Sequence, residues 1–104
     1  MNQCAETEGE QGRQLPDGLV EDRATPHFDA TSVPRALLAA HHTTTWAELV
    51  VLEGEVTLVE DDPPLRACVR SAERFVLVPH RRHRIELSAD AVFYVQFHRF
   101  RDVD

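Results

Sequence analysis

The sequence contains no lysine, so all 11 of its basic residues are arginine. It has only two cysteines: Cys4 stands in a polar stretch and Cys68 in an apolar one, so we expect no structural disulfide and a reducing, cytoplasmic location. No apolar run approaches the roughly 18 residues of a membrane-spanning helix, and no signal-peptide core follows Met1, so we expect no membrane association. The net charge of −7 repels phosphate backbones and argues against nucleic-acid binding.

The chain divides into a polar end and one domain. Residues 1–14 contain three glutamates and no periodic apolar pattern, which predicts a disordered tail. Residues 15–104 suffice for one domain with one core. Prolines and a glycine interrupt residues 15–36, which favours extended chain wrapped around that core. A turn of helix is compatible with residues 34–40, because proline is tolerated at a first helical position.

From Trp46 onward the pattern becomes that of β-strands, with alternating apolar residues and many β-branched side chains. Glycine, proline and aspartate at the intervening turns separate six short strands. The predicted strands are Trp46–Glu53, Glu55–Glu60, Leu65–Val69, Arg74–Val78, Arg82–Leu87 and Val92–Arg99. This spacing predicts an all-β sandwich or barrel.

Histidines near strand ends are the candidates for a functional site, because a barrel gathers strand ends around one cavity and neutral imidazoles bind divalent metals. His83 shares a strand face with Ile85 and Leu87, so we expect it to point inward. His41 and His42 are adjacent and point opposite ways on extended chain, so one of the two is expected in the pocket. The stretch does not decide which.

The last predicted strand leaves the position of His98 open. His98 shares a face with Tyr94 and Gln96, whereas the opposite face carries Phe93, Val95 and Phe97, and either face suits an interior. His80, in a turn among arginines, and His27 are weaker candidates. Arg81, Arg82 and Arg84 either form an anion-attracting mouth or balance nearby acidic side chains.

Several segments together resemble a known family. They are Leu15-Pro16-Asp17-Gly18, Thr25-Pro26, Phe28, Val33-Pro34-Arg35-Ala36-Leu37-Leu38, Ala40-His41, Trp46, Val50-Val51-Leu52-Glu53-Gly54, Pro79, His83-Arg84-Ile85-Glu86 and Phe93-Tyr94-Val95-Gln96-Phe97-His98. From residue 15 to about residue 100, the chain is similar to the small cupin domain of YeaR-type proteins and of TehB-like tellurite-resistance proteins. The resemblance implies a double-stranded β-helix, or jelly-roll barrel, whose cavity holds a divalent metal such as Zn, Ni, Fe or Mn.

The resemblance implies one ligand histidine at His41 or His42 and another at His83. The metal-ligating candidates are His41, His42, His83 and His98, and the pocket candidates are Trp46, Glu48, Tyr94 and Gln96. Gln96 replaces a family carboxylate, and an amide is a poorer ligand for a divalent ion, so His98 is expected to compensate from the same strand face. Glu48 is either in the pocket or at a solvated rim.

These features predict a small metal-binding cupin with an interior histidine-lined pocket for a small molecule or an anion, in stress response or detoxification. No nucleophile–base pair stands out, so the sequence identifies no catalytic residue and leaves open whether the protein is an enzyme. The alternative is a non-enzymatic module for ligand or metal sensing, or a dimeric scaffold. We expect a homodimer, with Val56, Leu58 and Val76 as candidate exposed apolar residues.

Overall fold

The computed structural model of the protein describes residues 13–101. Its elements, in chain order, are β1 (Leu19–Ala24), β2 (Phe28–Asp29), α1 (Arg35–Leu38), β3 (Ala47–Glu53), β4 (Glu55–Asp61), β5 (Pro64–Arg70), β6 (Arg74–Leu77), β7 (His83–Leu87) and β8 (Val92–Phe100). The prediction of an all-β domain is confirmed, and each of the six predicted strands is present with ends that differ by one residue at most. The short helix lies inside the segment predicted for it.

The strands form two antiparallel sheets. A five-stranded sheet has the order β1-β8-β3-β6, with β2 also paired to β8, and a three-stranded sheet has the order β5-β4-β7. Gly54 makes the tight turn between β3 and β4 with a φ of +68°, and a Cβ there would stand 2.6 Å from the Asp90 carboxylate. This turn carries the chain from the large sheet to the small one.

One hydrophobic core lies between the two sheets. Its fully buried members come from both: Leu49, Val51 and Phe93 from the large sheet, Val56 and Leu58 from the small one. The expectation that Val56, Leu58 and Val76 are exposed is wrong, because all three side chains are at most 6% exposed. The first two face the opposite sheet and are core residues, so they are not available to a partner chain.

Residues 1–12 of the predicted disordered tail lie outside the described residues, as does Cys4; Arg13 and Gln14 are described, and the Arg13 side chain is only 3% exposed. The expectation of no structural disulfide is wrong, since Cys68 is disulfide-bonded, and the cysteines therefore no longer support a reducing location. Within residues 13–101 no helix is long and apolar enough to cross a membrane.

Candidate functional site

An apolar cavity of about 60 Å³ lies between the sheets. Its polar lining residues are His41, His83 and two threonines, Thr25 and Thr43. The remaining walls are aliphatic or aromatic and come from α1 and both sheets: Leu37, Leu49, Leu58, Leu77, Ile85, Phe93, Val95 and Phe97. The few polar groups in these walls therefore determine what the cavity can bind.

His41 and His83 are brought together by backbone pairing across the mouth of the cavity. The amide of His41 donates to the His83 carbonyl at 2.9 Å, and the amide of His83 donates to the His41 carbonyl at 2.7 Å. The two rings stand nearly perpendicular, with their centroids 4.8 Å apart. His83 is the first residue of β7 and follows the parity of Ile85, so the inward orientation predicted from the strand pattern is confirmed.

Both imidazoles favour the neutral form. Burial lowers the pKa of His83 to about 4, with a smaller contribution from the neighbouring His41. Burial also lowers the pKa of His41, helped by the proximity of His42. The Nδ1 atom of His83 lies 3.1 Å from the Arg81 carbonyl oxygen, which can only accept, so Nδ1 carries the proton and Nε2 carries the lone pair.

Two polar atoms of the cavity lining are buried without a hydrogen-bond partner among residues 13–101. They are Nε2 of His41 and the hydroxyl oxygen of Thr43, whose residue is only 7% exposed. Buried polar atoms are normally satisfied, and leaving one unmade costs free energy. A ligand that binds these two atoms would therefore recover the free energy that their missing hydrogen bonds cost.

His42 does not join this pair. It is exposed, and its ring packs against that of His80 with centroids 5.9 Å apart. Of the two adjacent histidines that the sequence could not separate, His41 is the one that lines the cavity. His27 lies elsewhere, stacked on Tyr94 at 5.1 Å.

His98 lies on the other face of the five-stranded sheet. Its Nε2 donates to Glu48 at 3.0 Å, and Arg74 donates to the same carboxylate oxygen at 2.9 Å. We call His98, Glu48 and Arg74 the outer cluster. Gln96 is buried on this face and donates to the Arg23 and Phe97 carbonyls, while Trp46 is half-buried and lines a separate cleft with His98. The pocket candidates of the sequence thus belong to the outer face.

Sequence reasoning missed one buried carboxylate, Glu60. It is 2% exposed and pairs in register with His83 across β4 and β7. Its carboxylate receives two hydrogen bonds from Arg13, each of 3.0 Å. The sequence contains a signal for its burial, because Glu60 continues the inward alternation of Val56 and Leu58. It does not show that Arg13, 47 residues away, is its partner. Of the three arginines considered for an anion-attracting mouth, Arg81 lies 3.6 Å from Glu60 and Arg84 pairs with Glu86.

Fold and site define a small two-sheet β domain with a histidine-lined interior cavity. The family model of the TehB-like domain matches residues 23–95, and the chain belongs to that family. A crystal structure of a protein from Escherichia coli strain K12, a structural-genomics target, has the same fold, with a TM-score of 0.81 and 20% sequence identity over 88% of this chain and 92% of that chain.

A second solved structure, TehB from Haemophilus influenzae, is similar with a TM-score of 0.71 and 21% identity. The match covers 81% of this chain but only 32% of TehB, so this chain corresponds to about a third of that protein. No curated protein sequence matches the chain.

Proposed function

We propose that the domain is a cupin, a double-stranded β-helix of the YeaR and TehB-like kind, and that it binds a divalent metal ion through His41 and His83. The observation that carries the proposal is the unpartnered Nε2 of His41 beside the proton-free Nε2 of a neutral His83 in one cavity. A metal ligand must present a lone pair without a proton. Nε2 of His83 meets that condition, and a neutral His41 also has one ring nitrogen that does. The two facing sheets support the jelly-roll assignment.

The residues present fit an ion of the Zn, Ni, Fe or Mn group, because imidazole suits borderline divalent metals. The Thr43 hydroxyl supplies a further oxygen beside the two imidazoles. Among residues 13–101 no group of three His, Cys, Asp or Glu side chains is arranged to hold a metal ion. An ion held by two imidazoles keeps open positions, and when bound it would polarise a small molecule or anion that enters the cavity.

A non-enzymatic role in sensing is the second candidate. It is favoured by the cavity walls, which apart from the histidines and threonines are apolar and contain no general acid or nucleophile. Under this alternative the ligand is held but not converted. Stress response or detoxification remains the process we propose for either case.

Metal analysis of the untagged protein tests the proposal. The protein is incubated with Zn²⁺, Ni²⁺, Mn²⁺ and anaerobic Fe²⁺, dialysed and assayed for bound metal, and the affinity is measured by competition with a chromophoric chelator. We expect one ion per chain. Loss of a direct ligand in His83→Ala or His41→Ala should weaken binding by at least about 100-fold, beyond the 10–100-fold typical of residues that only support a ligand.

The matched control is His42→Ala, which removes an exposed histidine next to His41 and should bind metal as tightly as the wild type. If the wild type takes up no stoichiometric metal, or if His42→Ala loses as much affinity as His83→Ala, the interior pair is not the site. Azide or a small carboxylate added to the metal-loaded protein then reports on open coordination positions. A catalytic role would require such a position.

A further inference from the structure

Glu60 is a buried acidic side chain in an interior whose walls are mainly apolar. Its side chain has no exposed surface, and its Cα pairs directly with that of His83 on the adjacent strand. Paired residues on neighbouring antiparallel strands have Cβ atoms about 4.5–5.5 Å apart and project to the same face. Glu60 therefore lies next to His83, on the opposite edge of β7 from His41, while its carboxylate faces Arg13.

The carboxylate is held by two arginines. Arg13 donates to both of its oxygens at 3.0 Å, and Nη1 of Arg81 lies 3.6 Å from one of them. Arg13 also donates to the Val76 carbonyl at 3.0 Å and lies over the Phe75 ring at 5.0 Å from its centroid. Arg13 thus joins the small sheet at Glu60 to the large sheet at β6, with its guanidinium buried between them.

We infer that Glu60 is the third ligand of the interior metal site and that Arg13 acts as a latch that competes with the metal for it. The inference rests on the proposed function. Two histidines and one carboxylate with open positions form the donor set typical of non-haem Fe(II) sites, and such a set also accepts Mn²⁺ or Zn²⁺. In the described arrangement Glu60 faces Arg13, so His41 and His83 lack their carboxylate.

Charge balance gives the physical reason for the competition. A divalent ion between two neutral imidazoles adds two positive charges to a poorly solvated interior that already contains Arg13, with the partly exposed Arg81 nearby. Rotation of Glu60 towards the ion supplies a negative charge to the metal and breaks the two hydrogen bonds that Glu60 accepts from Arg13. Breaking a buried ion pair is costly, and this cost opposes metal binding.

Metal competition titrations of latch variants test the inference, with Zn²⁺ and with anaerobic Fe²⁺. Arg13→Gln removes the competing cation but keeps a polar side chain, and it should tighten metal binding by about 10-fold or more, the equivalent of about 1.4 kcal/mol. Arg13→Gln combined with Glu60→Gln should lose that gain and bind more weakly than the wild type. Arg66→Gln removes an exposed arginine paired with Glu86 and serves as the matched control, with no change expected.

Equal affinity of Arg13→Gln and the double variant would overturn the inference, because Glu60 would then contribute nothing. Should the variants unfold, a crystal structure of the wild type grown with Zn²⁺ decides: a Glu60 oxygen about 2.0–2.2 Å from the ion supports the latch, and Glu60 still paired with Arg13 refutes it. The proposed function fails separately. If His83→Ala and His41→Ala bind metal like the wild type, the site itself is absent, whatever the latch variants do.

Discussion

Two buried histidine clusters lie on opposite sides of the five-stranded sheet, and they differ in how their polar atoms are satisfied. His83, in the interior, is 3% exposed, and His98, in the outer cluster, is 5% exposed. The outer cluster is bonded throughout, from His98 to Glu48 and from Glu48 to Arg74. Beside His83, by contrast, Nε2 of His41 and the Thr43 hydroxyl have no hydrogen-bond partner within the part of the chain that the structure describes.

The difference shows that burial alone does not distinguish a structural histidine from a candidate ligand. A satisfied buried histidine stabilises the fold, whereas an unsatisfied one costs stability until something binds it. The outer cluster therefore has the character of a structural network. The interior pair, His41 and His83, has the character of a ligand-binding site.

The largest expected effect on stability comes from comparing a buried and an exposed phenylalanine on opposite faces of β8. Phe93 is fully buried against the cavity, and Phe100, seven positions later on the opposite face, is 59% exposed. We expect Phe93→Ala to lower the free energy of unfolding by about 3–5 kcal/mol, and Phe100→Ala to change it by no more than about 0.5 kcal/mol. Urea denaturation measures both. Similar losses in the two variants would mean that the outer face is covered in solution, as in a dimer that uses it.

A pH titration of stability tests the interior histidines specifically. Since the fold holds the pKa of His83 near 4, below its unfolded value near 6.5, the unfolded chain binds more protons between these two values. The free energy of unfolding should therefore be highest above pH 6.5 and should decrease as the pH is lowered towards 4. One proton gives a slope of up to about 1.4 kcal/mol per pH unit. Urea denaturation in chelator, in steps from pH 7 to pH 5, measures the slope.

His83→Gln is the control for this slope, because it removes the titrating ring and should flatten the curve whatever its own stability. The pKa of His41 is lowered in the same direction, so a small residual slope is expected from it. The carboxyl groups with a lowered pKa, Asp29 and Glu86, lose their contribution only below about pH 4.5. A slope that persists unchanged in His83→Gln would assign the effect to another group.

The strands and the inward histidine could be predicted from the sequence because they depend on local rules. Period-two alternation and proline or glycine at the turns determined the strand ends, and the parity of Ile85 and Leu87 oriented His83 correctly. The face of His98 could not be predicted in this way. Side chains on both faces of β8 are buried, so its polar and aromatic faces look equally like an interior.

Long-range pairing was the other part that the sequence could not supply. The strand pattern places Glu60 inward, but a charged residue at a strand end is usually solvated, and only the contact with Arg13 explains its burial. The same holds for Val56 and Leu58, whose exposure depended on which face of β4 meets the opposite sheet. The packing of the two sheets decides this.

The smallest expected effect tests the comparison between the clusters most directly, by removing one polar group from each. Glu48→Ala leaves the His98 and Arg74 donors without their acceptor, so we expect a loss of about 1–3 kcal/mol in the free energy of unfolding.

His41→Leu, measured in chelator, removes an unpartnered nitrogen and adds apolar contact within the cavity. Its stability should therefore equal that of the wild type or exceed it by up to about 1 kcal/mol. With Zn²⁺ present the wild type should instead be more stable than His41→Leu, because the wild type gains free energy from metal binding and His41→Leu does not. A loss in His41→Leu that matches Glu48→Ala even in chelator would mean that both histidines are structural, and the contrast between the two clusters would no longer hold.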